Sequence, residues 1–332
     1  MKAPNTTSRR ALLGGMAVAS LATAMRGPPA SAGSTAVTTS GPTIPLWPGS
    51  PPGAPARLPV RHDKQASDNP DFSERIITGI AQPWLEVRQP AYRTGAATLL
   101  IPGGGYGFLA WDNEGEEQAR WLTQRGVTCF ILSYRLPAEG WANRALVPLQ
   151  DAQRAIRIIR SRAGDFALDP QRLAVLGFSA GGHLGGSLAT RFAETTYTPV
   201  DALDEISARP DLAGLIYPVI TLSKPFTHAG SRDNLLGEGA PAKDAEYASV
   251  ENRVGADTPP VFLTASSDDG LVPIGNSLAM YSALLDRQRP CEFHGFDKGG
   301  HGFGARLDAA TPAHAWPDLF HAFGARHGIF AA

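Results

Sequence analysis

Residues Val175 to Leu184 read VLGFSAGGHL, an apolar run that meets Ser179 and then a group of glycines. The pattern G-x-S-x-G is common by itself, so its meaning rests on what flanks it. Here a strand-like run precedes the serine, and small, helix-compatible residues from Ala180 to Ala189 follow it. A strand, a sharp turn and a helix lift a hydroxyl above a sheet. Glycines at 177 and 181 let the backbone double back without a Cβ clash. A serine hydroxyl is a weak nucleophile until a base takes its proton, and that base needs a carboxylate to hold its tautomer.

Of the late histidines, His294 falls inside a strand pattern, and His314, His321 and His327 lie in or near a C-terminal helical stretch. His301 sits in KGGHGFG (298–304), a glycine loop directly after the last strand-like run, and such a loop can return an imidazole over a sheet. The acid candidates are Asp268 and Asp269 in TASSDDGLVP (264–273). Neighbours at a strand end point apart, so one of the two faces solvent or caps the loop. A fourth element, IPGGGYG (101–107), follows an early strand. It lacks the Lys and Ser/Thr of a phosphate loop, and its backbone amides suit a developing oxyanion, with Pro102 offering no side-chain donor. Tyr106, Trp111 and Asp112 come next and are expected to line an acyl or sugar pocket, the two aromatics closing it around a short acyl group. His183, four residues beyond the serine, reads as a packing residue of the helix, and His228 and Arg232 as residues of a polar insertion.

These groups need a scaffold that gathers them at one edge. Ala97 to Ile101, Val127 to Tyr134, Arg172 to Leu176, Leu212 to Ile220, Pro260 to Ala265 and Cys291 to Phe296 are short, largely continuous apolar runs. Helical spacing falls between several of them, at 114–124, 152–163 and 277–285. Unbroken apolar strands alternating with helices indicate an α/β chain with a mostly parallel sheet covered on both faces. In such folds chemistry collects beyond the strands' C-terminal ends. Two more polar segments, Ser73 to Gly79 and Trp84 to Arg88, are expected to add antiparallel strands at one edge. Residues 221–254 break the alternation and are read as a small partial cap. Arg154, Arg157, Arg160 and Arg162 interleave with Ala152, Ala155, Ile156, Ile159 and Ala163, which reads as the solvated face of an amphipathic helix.

The chain has 332 residues, 43% hydrophobic and 18% charged, enough for one large α/β domain. Its first 32 residues are read as an export signal: the twin arginine Arg9-Arg10, an apolar stretch from Ala11 to Met25, Arg26, then Ala30-Ser31-Ala32. The stretch is too short for a membrane span, so no span is expected in the mature chain, and the location is read as periplasmic or extracellular. Without Lys2, Arg9, Arg10 and Arg26 the chain keeps 26 basic against 31 acidic residues, a net of −5, which argues against a nucleic-acid partner. Residues 33–57, rich in Gly, Ser, Thr and Pro, read as a linker, leaving 58–332 as the catalytic domain. Cys129 and Cys291 read as buried thiols, with a disulfide left open. No metal-ligand pattern is present, and no cofactor is expected.

In combination, IPLWPGSPPG, IPGGGYG, NEGEEQARWL, SYRLP, PLQDAQRAIRIIRSRA, GFSAGGHL, SARPDLAGLIYPVI, HAGSRDNLLG, TPPVFLTASSDDGLVP and GGHGFG resemble the bacterial α/β-hydrolase esterases called acetylxylan esterase-like or xylanase-associated. The likeness runs from about Ile44 to the C-terminus. It implies an α/β-hydrolase fold, no cofactor, and hydrolysis of carboxylic esters, commonly acetyl groups on plant polysaccharides or their fragments. By position it implies a triad of Ser179, Asp269 and His301, with oxyanion amides from Gly104, Gly105 and Ala180. Gly270, which marks a turn immediately after Asp269, favours the same carboxylate. Relatives of this fold that cleave amides or peptides, and a catalytically dead glycan-binding scaffold, are the competing readings. The oligomeric state is left open.

Overall fold

The computed structural model describes residues 41–69 and 72–331; residues 1–32, read above as an export signal, lie outside the described residues. Strands β1 (Thr43–Pro45), β2 (His62–Gln65), β3 (Arg75–Thr78) and β4 (Trp84–Arg88) lead into β5 (Ala97–Ile101) and β6 (Leu109–Ala110). A π-helical turn, Asp112–Glu116, runs into α1 (Glu117–Thr123). Then follow β7 (Thr128–Ser133), α2 (Val147–Ser161), β8 (Leu173–Phe178), α3 (Ala180–Arg191) and β9 (Leu212–Ile216). The insertion carries α4 (Ala229–Leu236) and α5 (Ala242–Ala248). The chain ends in β10 (Val261–Ser266), α6 (Gly275–Asp286), β11 (Cys291–Phe296) and α7 (Trp316–Arg326).

Eight strands form one sheet in the order β1-β4-β7-β5-β8-β9-β10-β11, antiparallel across β1/β4 and β4/β7 and parallel from β7 onward. Every residue of β5, β7, β8, β9 and β10 is buried. That burial is why these runs read as unbroken apolar sequence rather than alternating: both faces of the sheet are covered. The two faces are visible at β9. A Cβ on Gly214 would strike the Phe320 ring of α7, whereas the next residue, Leu215, meets Gly185 and Gly186 of α3 on the other side. Among the described residues no helix is long and apolar enough to cross a membrane, and both cysteines are free thiols.

Three expectations change. The polar segments expected together at one edge part company: β4 is inserted between β1 and β7 because Leu85 and Val87 are buried, while β3 joins β2 and β6 in a separate three-stranded sheet. The segment read as linker is, from residue 41 onward, part of the packed fold. Ile44, Leu46 and Trp47 are buried, and β1 supplies the sheet's edge. The arginines of α2 are not a solvated face. Arg154 is 2% exposed and bonds Asp201, Asp204 and the carbonyl of Leu46; Arg157 donates to Tyr197 Oη and Ile206 O; Arg160 pairs with Asp211. Only Arg162 keeps an exposed pair, with Asp165. Carboxylates and carbonyls of 197–211 cover the guanidinium row, and that segment is too far along the chain for helical periodicity to register it.

Beside this clamp lies a fully buried pair. Asp151 of α2 accepts from Arg135 N (2.9 Å), from the Arg135 guanidinium (2.8 Å at closest) and from Trp47 Nε1 (2.8 Å), with both members of the ion pair at 0% exposure. Truncating one partner strands the other's charge in the interior. Asp151→Ala is therefore expected to lower stability by ~3–5 kcal/mol in urea unfolding. A loss within experimental error would show that Arg135 finds solvent or another acceptor.

Candidate active site

The serine stands where the parallel strands end. At the junction of β8 and α3, Ser179 adopts φ 52° and ψ −119°, a conformation costly for any residue with a Cβ. The turn is held by Ser179 N to Ile216 O (3.0 Å) and by Val219 N to Ser179 O (3.0 Å). Gly177 and Gly181 are required: a Cβ on the first would lie 2.3 Å from Gly181 O, and on the second 2.2 Å from Ile101 O. The hydroxyl is thereby presented to His301, whose Nε2 lies 2.9 Å from Ser179 Oγ. The histidine's Nδ1 lies 2.7 Å from Asp269 Oδ2, which fixes Nδ1 as the protonated nitrogen and Nε2 as the acceptor facing the serine.

Asp269 leaves the end of β10 with its side chain fully buried, and its other oxygen accepts from the amides of Leu271 (2.9 Å) and Val272 (2.8 Å). Its neighbour turns the other way: Asp268 Oδ1 accepts from Gly300 N (2.8 Å), bracing the histidine loop, and that bond holds its carboxyl below the usual range. The His301 ring packs edge-on against Tyr217, centroids 5.0 Å apart.

The glycine loop after β5 turns back on itself at Gly104 (φ 116°) and Gly105 (φ 62°). Among the described residues none accepts from the amides of Gly104 or Gly105, and Ala180, as the first residue of α3, has no intrahelical partner for its own. Gly103 is committed instead to Glu114. The Glu114 carboxylate accepts from Gly103 N (2.7 Å) on one oxygen and from Tyr217 Oη (2.9 Å) on the other, and Tyr217 Oη accepts from Gly304 N (3.2 Å). A buried carboxylate thus joins the glycine loop to the end of the histidine loop. Burial pushes Glu114 up to about 6, against the lowering pull of its two donors and of His301.

Ser179, His301, Gly104, Gly105 and Glu114 line a cavity of about 410 Å³, together with Gly107, Phe108, Ala110, Asn113, Leu271 and Gly302 and, from the insertion, His228, Gly230 and Asn234. The region read as a partial cap therefore walls the cavity through α4, and Asn234 Nδ2 bonds Gly105 O (2.9 Å). The three residues expected to line the pocket do not. Tyr106 is buried, its hydroxyl 2.8 Å from His183 Nδ1; Trp111 packs beside Trp84; Asp112 is bound by Arg75 and Ser73. A backbone turn at Tyr106 (φ 61°) points its ring inward, and the other two meet strand partners no local pattern announces. His183 is, as expected, a packing residue: its Nε2 lies 2.9 Å from Ala248 O, and burial pushes it down to about 4. Arg232 pairs with Asp233. Glu114, Tyr217, Phe108 and Leu271 went unread. Glu114 looked like the first residue of an amphipathic helix, and nothing in the sequence distinguishes it from a solvated one.

A mostly parallel sheet with a serine at its elbow and a glycine loop beside it defines an α/β-hydrolase. The BD-FAE family model matches residues 85–284, and the chain belongs to that family. It is 38% identical over 204 residues to endo-1,4-beta-xylanase B of Butyrivibrio fibrisolvens, and 32% identical over 220 residues to an acetylxylan esterase of Xylanibacter ruminicola. Those matches take in 61% and 65% of this chain but only 32% and 42% of the relatives' own lengths. The crystal structure of an acetyl ester-xyloside bifunctional hydrolase from Caldicellulosiruptor lactoaceticus aligns over 90% of this chain and 100% of that one, with a TM-score of 0.71 and 32% identity. A carboxylesterase of Lactobacillus plantarum shares the fold, at 22% identity over 83% of this chain and 100% of that one, with a TM-score of 0.61.

Two substitutions test the arrangement. Asp269→Asn favours the wrong imidazole tautomer and is expected to cut kcat by up to ~10⁴ with the fold intact, while Asp268→Asn costs far less. Kinetics with those outcomes exchanged would move the orienting role to Asp268. Glu114→Gln keeps the shape but replaces one acceptor with a donor aimed at Tyr217. It is expected to lower kcat about tenfold, roughly one lost hydrogen bond's worth of loop order. Wild-type Glu114 takes up a proton as pH falls through about 6, so it should steepen the acid limb of the kcat profile. Equal slopes in wild type and Glu114→Gln would limit the residue to packing.

Proposed function

We propose that this chain is an exported serine esterase that removes short acyl groups, chiefly acetyl, from xylan or related glycans. The observation that carries the reading is the continuous relay of Asp269, His301 and Ser179, bonded at 2.7 and 2.9 Å beside a glycine loop with unengaged amides. Ser179 Oγ attacks the ester carbonyl as His301 Nε2 accepts its proton. Asp269 stabilises the imidazolium, and the amides of Ala180 and Gly104 or Gly105 hold the oxyanion. The His301 proton passes to the departing alcohol, leaving an acyl-serine. Water, deprotonated by the same histidine, releases the acid and restores the hydroxyl.

The substrate class draws its support from the relatives whose names carry acetylxylan esterase and xylanase activities. Export draws on the twin-arginine leader in the sequence. Glycines with Phe108, Ala110 and Leu271 give the cavity much of its wall, and its volume of about 410 Å³ suits a small ester.

The reading is tested by assaying p-nitrophenyl acetate, acetylated xylan and a peptide nitroanilide side by side, with Ser179→Ala as control. Turnover of the first two and not the third is expected. The alanine variant should fold and retain only the ~10³–10⁴-fold advantage over water that a site keeps without its nucleophile. Faster turnover of the anilide would turn the reading toward an amidase. Near-normal activity of Ser179→Ala, or fluorophosphonate labelling elsewhere, would remove the serine mechanism.

A further inference from the structure

The insertion brings to the cavity one donor that the relay does not use. His228 precedes α4 and caps it: its Nδ1 accepts the backbone N–H of Ser231 (3.3 Å) and lies 2.8 Å from Ser231 Oγ. A backbone amide can only donate. Nδ1 therefore carries the lone pair, and the neutral ring carries its hydrogen on Nε2. Among the described residues no acceptor meets that Nε2–H. The ring nevertheless lines the cavity that holds Ser179 and His301.

Its position is built rather than incidental. The imidazole edge lies close to two glycines: a Cβ on Gly230 would come within 3.3 Å of its Cε1, and one on Gly105 within 3.8 Å. Burial and then the charge of His301 hold its pKa below the ordinary value, partly opposed by Asp269, so the ring stays neutral around pH 7 and above. Those electrostatic neighbours are the base and its orienting acid. His228 shares its cavity with His301, which must hand its proton to the departing alcohol, so the free Nε2–H stands in the space that the alcohol half of the ester has to enter.

We infer that His228 Nε2 is a specificity-determining donor for that alcohol, recognising a hydroxyl or ether oxygen on the carbon next to the ester-bearing one. The inference rests on the esterase reading above. Acetates of sugars and polyols present such an oxygen, and simple alkyl acetates do not. A neutral donor recognises a neutral oxygen without bringing a second charge into a cavity whose other walls include Phe108, Ala110 and Leu271.

The experiment compares kcat/KM for 2-hydroxyethyl acetate and n-propyl acetate in the full chain, for wild type, His228→Asn and His228→Phe. Asparagine is a strong N-cap and can still accept from Ser231, but it is too short to reach the cavity, so it removes the donor and keeps the helix start. The hydroxyethyl-to-propyl preference is expected to fall roughly 2- to 10-fold in both variants, the worth of one neutral hydrogen bond. An unchanged preference in His228→Asn overturns the inference, including the case where both rates fall together, which would mark a residue that only shapes the site. No turnover of either ester by the wild type would remove the esterase reading and the inference with it, whereas turnover with an unmoved ratio removes the inference alone.

Discussion

The backbone of Ser179 is held at a positive φ, and the surrounding structure exists in large part to keep it there. A left-turning residue with a Cβ costs of order 1–3 kcal/mol and survives only where its neighbours over-determine it. Here they do so from three sides. Ile216 at the end of β9 takes its amide, Val219 takes its carbonyl, and the strand end of β5 presses so close that position 181 has no room for a side chain. Gly182 meets Pro218 in the same way, with 2.6 Å left for a Cβ. Parallel pairing of β5, β8 and β9 is therefore the condition for the elbow, since it brings all three strand ends to one level.

The same level carries the charges. Two buried carboxylates lie near His301, and both oxygens of each are engaged by donors of the protein itself. Asp269 takes two loop amides besides the imidazole, and Glu114 takes Gly103 N–H and Tyr217 O–H. These donors hold both carboxylates in place, and of the two only Asp269 bonds the imidazole. Tyr217 connects the two systems: its ring supports the imidazole and its hydroxyl bridges Glu114 to Gly304. The order of the glycine loop and that of the histidine loop are thus coupled through one phenol.

How much of this was legible in the sequence follows from the range of each interaction. Ser179, His301 and the Asp268/Asp269 pair could be read because glycine placement and strand ends are local signals. Position within the family resemblance and Gly270 then singled out Asp269, and the structure brings that residue, not its neighbour, to the imidazole. The parallel strands were legible because burial on both faces leaves continuous apolar runs. Tyr106, Trp111 and Asp112 were misplaced because each is decided by a remote partner: His183 lies 77 residues from Tyr106, and Arg75 lies 37 from Asp112. The arginines of α2 were misread for the same reason, since helical spacing reports which positions share a face and not what covers it. Leu46 and Trp47 were hidden by a composition of Pro, Gly and Ser, which describes the linker-like average and not the two apolar residues that anchor it.

The insertion between β9 and β10 is fixed to the elbow by a buried imidazole of α3. His183 holds Ala248 O through Nε2 and accepts from the Tyr106 hydroxyl through Nδ1, so one imidazole ties α3, the glycine loop and the end of α5 together. With its pKa pushed down to about 4 it stays neutral across the range in which the catalytic chemistry operates, and the tie does not loosen there. Asn276 accepts from the amides of Ile220 and Thr221, Ser249 Oγ accepts from Leu222 N, and Asn234 grips Gly105 O. An insertion bound at so many points serves as a wall of the cavity, pre-organised with it. Discrimination between substrates can then change through the side chains that α4 presents, while the elbow, the Ser179–His301–Asp269 chain of hydrogen bonds and the glycine loop keep their geometry.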